Sequence, residues 1–193
     1  MRLLLLLLLA ACGTAPKEHF YTLSSPPPAE STTPATITVV IASVAVPEAV
    51  DRNSMVIRTG PNQVDIEDLH RWAEPLKTSI PRVLAANLGQ QLTTARVVAG
   101  RYAQGQGADY RVTVDVQRFE SSLSDGATLE AAWTLAGKSG APVTGHTLAR
   151  EAATSGDYAG IAAAHSRALE RLAKEIAAAI AQPRATPLPR VPT

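Results

Sequence analysis

The clearest pattern in the chain is a two-residue alternation of apolar and polar positions over residues 108–121. Its apolar members are Tyr110, Val112, Val114 and Val116. The alternation returns after the Asp125-Gly126 turn over residues 129–135, and residues 142–150 continue it after a second turn. Because this period is typical of strands with one face in the core, it predicts an antiparallel meander with one solvated face.

The region before the meander predicts shorter strands and a helix. Runs rich in β-branched residues predict strands at 37–46, 54–58, 63–66 and 95–99. Between the last two, apolar residues recur at spacings of three and four from Leu69 to Leu88, and Asp68 is a suitable N-cap. Pro75 and Pro81 oppose a straight helix here, so we predict a short first turn, a kink and a main helix over 81–92.

A second helix is predicted over residues 158–181, where one face is apolar and the other charged. The elements together predict an α+β domain over residues 36–181, in which a mostly antiparallel sheet carries two main helices on one face. Four prolines after residue 182 predict a disordered tail over 182–193.

The first eleven residues resemble a bacterial lipoprotein signal peptide. Arg2 precedes seven leucines, and Ala10-Ala11 lead into Cys12, the single cysteine of the chain. The nine apolar residues before Cys12 reach only about 14 Å as a helix, too short for about 30 Å of hydrocarbon. The resemblance implies cleavage before Cys12, a diacylated thiol and an acylated amine, with palmitate among the acyl chains. The alternative is that Cys12 is an ordinary residue of a signal cleaved elsewhere.

Residues 12–35 predict a tether between this anchor and the domain. Gly13 follows the cysteine where an aspartate would favour the inner membrane in enterobacteria, so an outer-membrane location is expected. Pro26, Pro27, Pro28 and Pro34 lie among serines and threonines, which predicts an extended polyproline-type linker from Ser24 to Ala35. A short strand is predicted near residues 20–23.

Composition narrows the function further. Among 193 residues the formal net charge is +1 and no basic block is present, so nucleic-acid binding is not expected. Ala132–Ser139 satisfy a relaxed nucleotide-binding pattern, but the alternating residues around them predict a hairpin turn rather than a phosphate loop.

No catalytic or metal site is predicted. His19, His70, His146 and His165 form no local ligand pair, and no nucleophile motif is present. We expect these histidines to be solvated or partly buried. The sequence predicts no cofactor other than the lipid on Cys12, and a protein that is not an enzyme.

Some residue choices indicate a partner surface: Asp51, Arg52, Arg58, Arg71 and Trp72. Arginine and tryptophan are enriched at interface hot spots. The alternative is structural: a capped turn at Asp51-Arg52, an exposed edge strand, and Trp72 as a core anchor. The sequence leaves both interpretations open.

These residues also carry a resemblance to a known family. Tyr21-Thr22-Leu23 after a lipoprotein signal, Val46-Pro47-Glu48, Asp51-Arg52 and the run Arg71–Leu76 resemble the PqiC/YmbA family of ABC-type transport auxiliary lipoproteins. The motifs cover about residues 20–92. The proline-rich insert at 24–35 is longer than the family pattern leads us to expect.

The resemblance implies a role in lipid trafficking and envelope integrity. Family members associate with MCE-type intermembrane lipid transport systems, so the expected partner is a PqiB-like MCE-domain protein, docked by a lipoprotein on the periplasmic face of the outer membrane. Because MCE proteins form rings, a homo-oligomeric ring is a further expectation. The alternative is an independent periplasmic lipid-binding carrier or lipoprotein chaperone.

Overall fold

The computed structural model describes residues 16–27, 34–100 and 107–182. The expected signal peptide, Cys12 and nearly all of the expected tail lie outside these described residues. The strands are β1 (His19–Tyr21), β2 (Ile37–Ala45), β3 (Ser54–Gly60), β4 (Gln63–Trp72), β5 (Ala95–Ala99), β6 (Tyr110–Ser122), β7 (Gly126–Gly137) and β8 (Val143–Glu151). The helices are α1 (Leu76–Gln91) and α2 (Tyr158–Ala181).

All eight strands form one sheet, which confirms the predicted α+β class. Most of the sheet follows the order β1-β4-β3-β6-β2-β5, in which β3 and β2 pair with opposite ends of one edge of β6. Strand β7 pairs with the opposite edge of β6, and β8 pairs with β7. The predicted meander is confirmed, since β6–β7 and β7–β8 are antiparallel. The parallel pairs β1–β4, β2–β5, β2–β6 and β3–β6 were not predicted.

Both helices pack on one face of the sheet, here called the inner face. Helix α1 contacts β2 and β5, α2 contacts β7 and β8, and the helices contact each other. The apolar members of the β6 alternation, Val112, Val114 and Val116, are buried beneath them. The opposite face, the outer face, carries the polar members Arg111, Thr113 and Asp115, which are exposed.

The predicted helical turn from Asp68 was wrong, and the helix predicted over 81–92 is found but begins earlier, at Leu76. Strand β4 continues to Trp72, because its end pairs with β1 and the Trp72 amide donates to the carbonyl of Asn53 at 2.6 Å. Helix α1 then begins at Leu76 after Pro75 and runs through Pro81. Proline removes one helical hydrogen bond there. The buried apolar face of α1, formed by Leu76, Ile80, Val83, Leu84 and Leu88, compensates for that loss.

The segment expected to be an extended tether is partly packed on the domain. Leu23 is only 3% exposed and belongs to the core. The amide of Ser24 donates to Ser166 Oγ of α2 at 3.1 Å, and Gln90 of α1 donates to the carbonyl of Pro27. The short strand predicted near residues 20–23 is found as β1. The extended linker predicted from Ser24 does not run free over residues 24–27, because Ser24 and Pro27 contact the helices.

Gly145 provides a test of core packing. It lies opposite Trp133 across β7–β8, and a Cβ at Gly145 would lie 2.1 Å from Trp133 Cζ2. The indole is held in place, since its Nε1 donates to Thr147 Oγ1 at 3.2 Å. We expect Gly145→Ala to lower the free energy of unfolding by about 1–3 kcal/mol, the usual cost of overpacking.

The matched control is Gly89→Ala in α1, where an added Cβ meets nothing within 4 Å. This change should raise the free energy of unfolding by up to about 1 kcal/mol, because alanine favours the helix over glycine. Urea unfolding monitored by circular dichroism measures both. Equal effects of the two substitutions would contradict the packing argument.

Candidate partner-binding groove on the outer face

A groove on the outer face lies where the sheet has a gap. Strand β2 pairs with β6 as far as Asp115, and β3 pairs with the same edge of β6 only at Ser121. Between them the chain leaves the sheet in a tight turn, in which the amides of Val50 and Asp51 donate to the carbonyl of Pro47 at 3.1 Å. Among the described residues, no strand therefore pairs with this edge of β6 between Asp115 and Ser121.

The groove has a volume of about 380 Å³. Its apolar lining comes from the turn and from the β3–β4 hairpin: Pro47, Val50, Val56, Pro61, Val64 and Ile66. Val64 and Ile66 are 54% and 50% exposed and lie side by side on the outer face of β4. An exposed apolar patch with a polar rim is typical of a surface that binds a partner.

The polar rim is a chain of ion pairs on the outer face from β3 to β7, in which Arg58 Nε lies 3.6 Å from Glu120 Oε2. Arg58 Nη2 lies 3.3 Å from Asp125 Oδ2, and Arg118 Nη2 lies 3.0 Å from Glu120 Oε2. Arg118 Nη1 and Glu130 Oε2 are 3.3 Å apart. Hydrogen bonding between Arg118 and Glu120 raises the pKa of the arginine and lowers that of the glutamate. These charges are mutually neutralised within the sheet.

Arg52 differs from its neighbours. It is exposed on the groove wall and has no ion-pair partner among the residues that the structure describes. Its guanidinium can therefore bind a carboxylate of another molecule without first breaking a pair on this chain. The groove thus combines an apolar wall with one arginine available for a partner.

The structure separates the five residues of the predicted partner surface. Arg52 and Arg58 both line the groove. Asp51 points away to Lys77 at the start of α1, with Oδ2 and Nζ 2.5 Å apart. Arg71 lies on β4 with its Nη1 2.9 Å from Glu18 Oε1. Trp72 is 5% exposed and packs edge-on against Phe119 and His165, so it has the structural role that the sequence left open.

Sequence reasoning missed Val64 and Ile66, although a signal was present. In residues 63–67 the apolar Val64 and Ile66 alternate with the acidic Asp65 and Glu67, so the two pairs lie on opposite faces of the strand. Such a strand is normally read with its apolar residues inward. In the structure Asp65 and Glu67 instead face inward, because they pair with the buried Ile57 and Met55 of β3. Both carboxylates lie close to the hydroxyl of Tyr158 at the start of α2. Burial and the Glu67 carboxylate raise the pKa of Tyr158 to about 12.

His165 lies beneath the groove and corrects the expectation that the histidines are solvated or partly buried. It is fully buried, stacks on Phe119 with ring centroids 3.7 Å apart, and its Nε2 lies 2.9 Å from Ser121 Oγ. Its Nδ1 has no partner among the described residues. Burial lowers the pKa of His165 to about 3, so the ring is neutral at physiological pH.

Other chemistry considered from the sequence is not assembled. Strand β7 ends at Gly137 and a turn leads to β8, so no helix follows the Gly-Lys-Ser sequence that a phosphate loop requires. Lys138 instead lies with its Nζ 2.6 Å from Asp109 Oδ1. Within residues 16–27, 34–100 and 107–182, no three His, Cys, Asp or Glu side chains converge as metal ligands. No described helix is long and apolar enough to cross a membrane.

The fold, an eight-stranded sheet under two helices, is shared with solved structures. An uncharacterized protein is 21% identical, with a TM-score of 0.73 over 86% of this chain and all of the other. A Xanthomonas campestris protein of family DUF330 is 22% identical, with a TM-score of 0.59 over 82% of this chain and 92% of the other. A PelC dodecamer from Paraburkholderia phytofirmans matches with 17% identity over 76% of this chain and 94% of the other. Its TM-score is 0.41, too low to support a statement about assembly.

The family model for the ABC-type transport auxiliary lipoprotein component matches residues 21–177. The chain belongs to this family, as the resemblance in its sequence implied. The family is that of an auxiliary lipoprotein component of transporters, which implies attachment to a membrane of the envelope and a transporter as partner. No curated protein matches the chain.

The buried His165 predicts a pH dependence of stability. Its pKa of about 3 in the folded state lies below the ordinary 6.5, so the unfolded chain binds an extra proton between these values. Stability should therefore fall as the pH drops below about 6.5, by about 1.4 kcal/mol per pH unit once the unfolded state is protonated. From pH 7 to pH 4.5 this amounts to about 2–3 kcal/mol.

His165→Gln removes the titrating group while keeping a polar partner for Ser121. Urea unfolding of both proteins at pH 7 and pH 4.5 tests the argument, and the variant should lose about 2–3 kcal/mol less than the natural chain. Carboxylates with lowered pKa values, such as Glu120, are common to both proteins and cancel in the difference. An equal loss in both would show that His165 is not the cause.

Proposed function

We propose that this chain is the lipid-anchored auxiliary subunit of an MCE-type intermembrane lipid transport system. In this role Cys12 carries the acyl chains and holds the protein on the periplasmic face of the outer membrane. The domain docks the periplasmic MCE component and so supports envelope integrity. Membership of the transport auxiliary lipoprotein family and the sequence around Cys12 support this assignment.

The observation that carries the docking role is the groove at the gap in the sheet. The apolar wall of the groove, formed by Val64 and Ile66, is exposed to solvent, whereas the core residues of the domain are buried. Arg52 on its rim has no ion-pair partner within the described part of the chain. A partner segment with an apolar side chain and a carboxylate would match both features. Docking of this kind needs no catalytic group.

The alternative function, an independent lipid-binding carrier, needs room for acyl chains between the helices and the sheet. That space is filled by fully buried side chains from both helices, among them Leu84, Leu88, Leu169 and Leu172. A second groove of about 690 Å³ lies between α1 and β5, but its lining includes Lys77, Arg82 and Arg96. Lys77 and Arg82 are exposed and paired with Asp51 and Glu74, so this groove is an open surface and not an enclosed cavity for acyl chains. The docking role is therefore the better supported.

Docking in the groove predicts a selective effect of charge reversal. In a crosslinked pull-down from membranes, Arg52→Glu should lower recovery of the MCE-domain protein roughly tenfold, because an interface arginine typically contributes 1–2 kcal/mol. Arg150→Glu is the control, since Arg150 is an exposed arginine on β8, away from the groove. Equal recovery with both variants would reject the groove as the docking site.

Anchorage predicts a covalent modification that mass spectrometry can detect. The mature protein should begin at Cys12 and carry acyl chains, two or more of which give stable membrane attachment. Cys12→Ala should abolish the modification and weaken recovery of the MCE partner. Phospholipid recovered without any MCE protein would favour the carrier instead.

A further inference from the structure

The chain between the anchor and the folded domain is short. Seven residue steps separate Cys12 from His19, where β1 begins. A fully extended chain spans at most about 3.5 Å per residue, so Cys12 lies within about 25 Å of β1. If Cys12 is lipidated, as the proposed function holds, β1 is confined to this distance from the membrane surface.

The tether cannot easily lengthen by detaching β1. The amide of Ala73 donates to the carbonyl of Tyr21 at 2.8 Å, and the Tyr21 hydroxyl lies 2.8 Å from His70 Nδ1. Two residues further, Leu23 is buried in the core. Releasing this segment would expose a core leucine to water and break the pairing of β1 with β4, both of which are unfavourable. The end of the tether is therefore a fixed point on the domain.

Two exposed apolar side chains lie at this fixed point. Phe20 is 58% exposed and Leu69 is 37% exposed. Phe20 is in register with Arg71, and Leu69 precedes Arg71 by two residues, so both side chains lie on the outer face. The Arg71–Glu18 ion pair, with Nη1 and Oε1 2.9 Å apart, holds the end of the tether on this same face. Lys17, also exposed, comes next toward the anchor.

We propose that Phe20 and Leu69, with Lys17 beside them, form an anchor-proximal patch that contacts the membrane leaflet holding the acyl chains of Cys12. Phenylalanine and leucine are typical of apolar faces that insert into the headgroup–acyl boundary, and lysine can keep its ammonium among headgroups while its stem covers apolar surface. The patch alone is too small for stable binding. The short tether supplies a high local concentration of membrane, which makes a weak contact effective.

This contact has a consequence for docking. A domain on a loose tether would rotate freely, whereas two attachments, the lipid and the patch, restrict its orientation. The groove lies on the same outer face, next to the β3–β4 hairpin. The patch would therefore orient the groove relative to the membrane before a partner arrives.

The experiment uses the purified lipidated protein in vesicles of phosphatidylethanolamine and phosphatidylglycerol. Phe20→Cys is labelled with an environment-sensitive nitrobenzoxadiazole dye, because acylation converts the Cys12 thiol to a thioether and leaves the new thiol as the labelling site. The matched control is Leu148→Cys, an apolar residue on β8 with 42% exposure. We expect blue-shifted emission and quenching by nitroxide lipids at position 20, and neither at position 148.

A flexible glycine-serine segment inserted after Pro16 should reduce the shift at position 20, since it lowers the local concentration of membrane. Emission at position 20 typical of water, with the lipid on Cys12 verified by mass, would overturn the patch and leave the anchorage intact. Absence of lipid on Cys12 would overturn both. A shift lost on dilution to one chain per vesicle would mean that a second copy covers Phe20, which also overturns the proposal.

Discussion

Strand β6 is the constraint on which the rest of the structure depends. One edge pairs with β7 along almost its full length, while the other edge is shared end to end by β2 and β3. Because two strands must fit along one edge, the chain between them leaves the sheet and a gap remains. A β-bulge between Val116 and Arg118 occurs in β6 at the level of this gap. The extra residue directs Arg118 and Glu120 outward and Phe119 and Ser121 inward.

That single irregularity connects the groove with the core. Without the bulge, the alternation that buries Val112, Val114 and Val116 would turn Arg118 toward the helices and Phe119 toward water. With it, Phe119 stacks on the buried His165, and Ser121 provides the polar partner for the ring. The outer face meanwhile receives the charges that pair across the sheet. Stability and the candidate binding surface therefore depend on the same few residues of β6.

Much of the N-terminal segment packs on the domain, so only a short stretch of chain is left between the domain and its proposed anchor. The proline-rich stretch suggested a long reach, but Leu23 and the pairing of β1 fix residues 19–27 to the domain. The sequence predicted a short strand near residues 20–23, but neither its partner strand nor the burial of Leu23, because a single leucine carries no periodic signal. The partner of β1 is also distant in the chain, since His19 pairs with His70. A short tether favours a domain held near the membrane.

The sequence by itself determined the α+β class, the β6–β8 meander and α2, because each depends on apolar periodicity within one segment. It also singled out Cys12 and, among the predicted partner residues, two that line the groove, Arg52 and Arg58. Only the tertiary structure decided that residues 68–72 are strand, that Trp72 and His165 are buried, and that Val64 and Ile66 face outward. These outcomes depend on pairing with β1, on the shared edge of β6 and on the side of the sheet that the helices cover. Such contacts join residues far apart in the chain, so no local pattern records them.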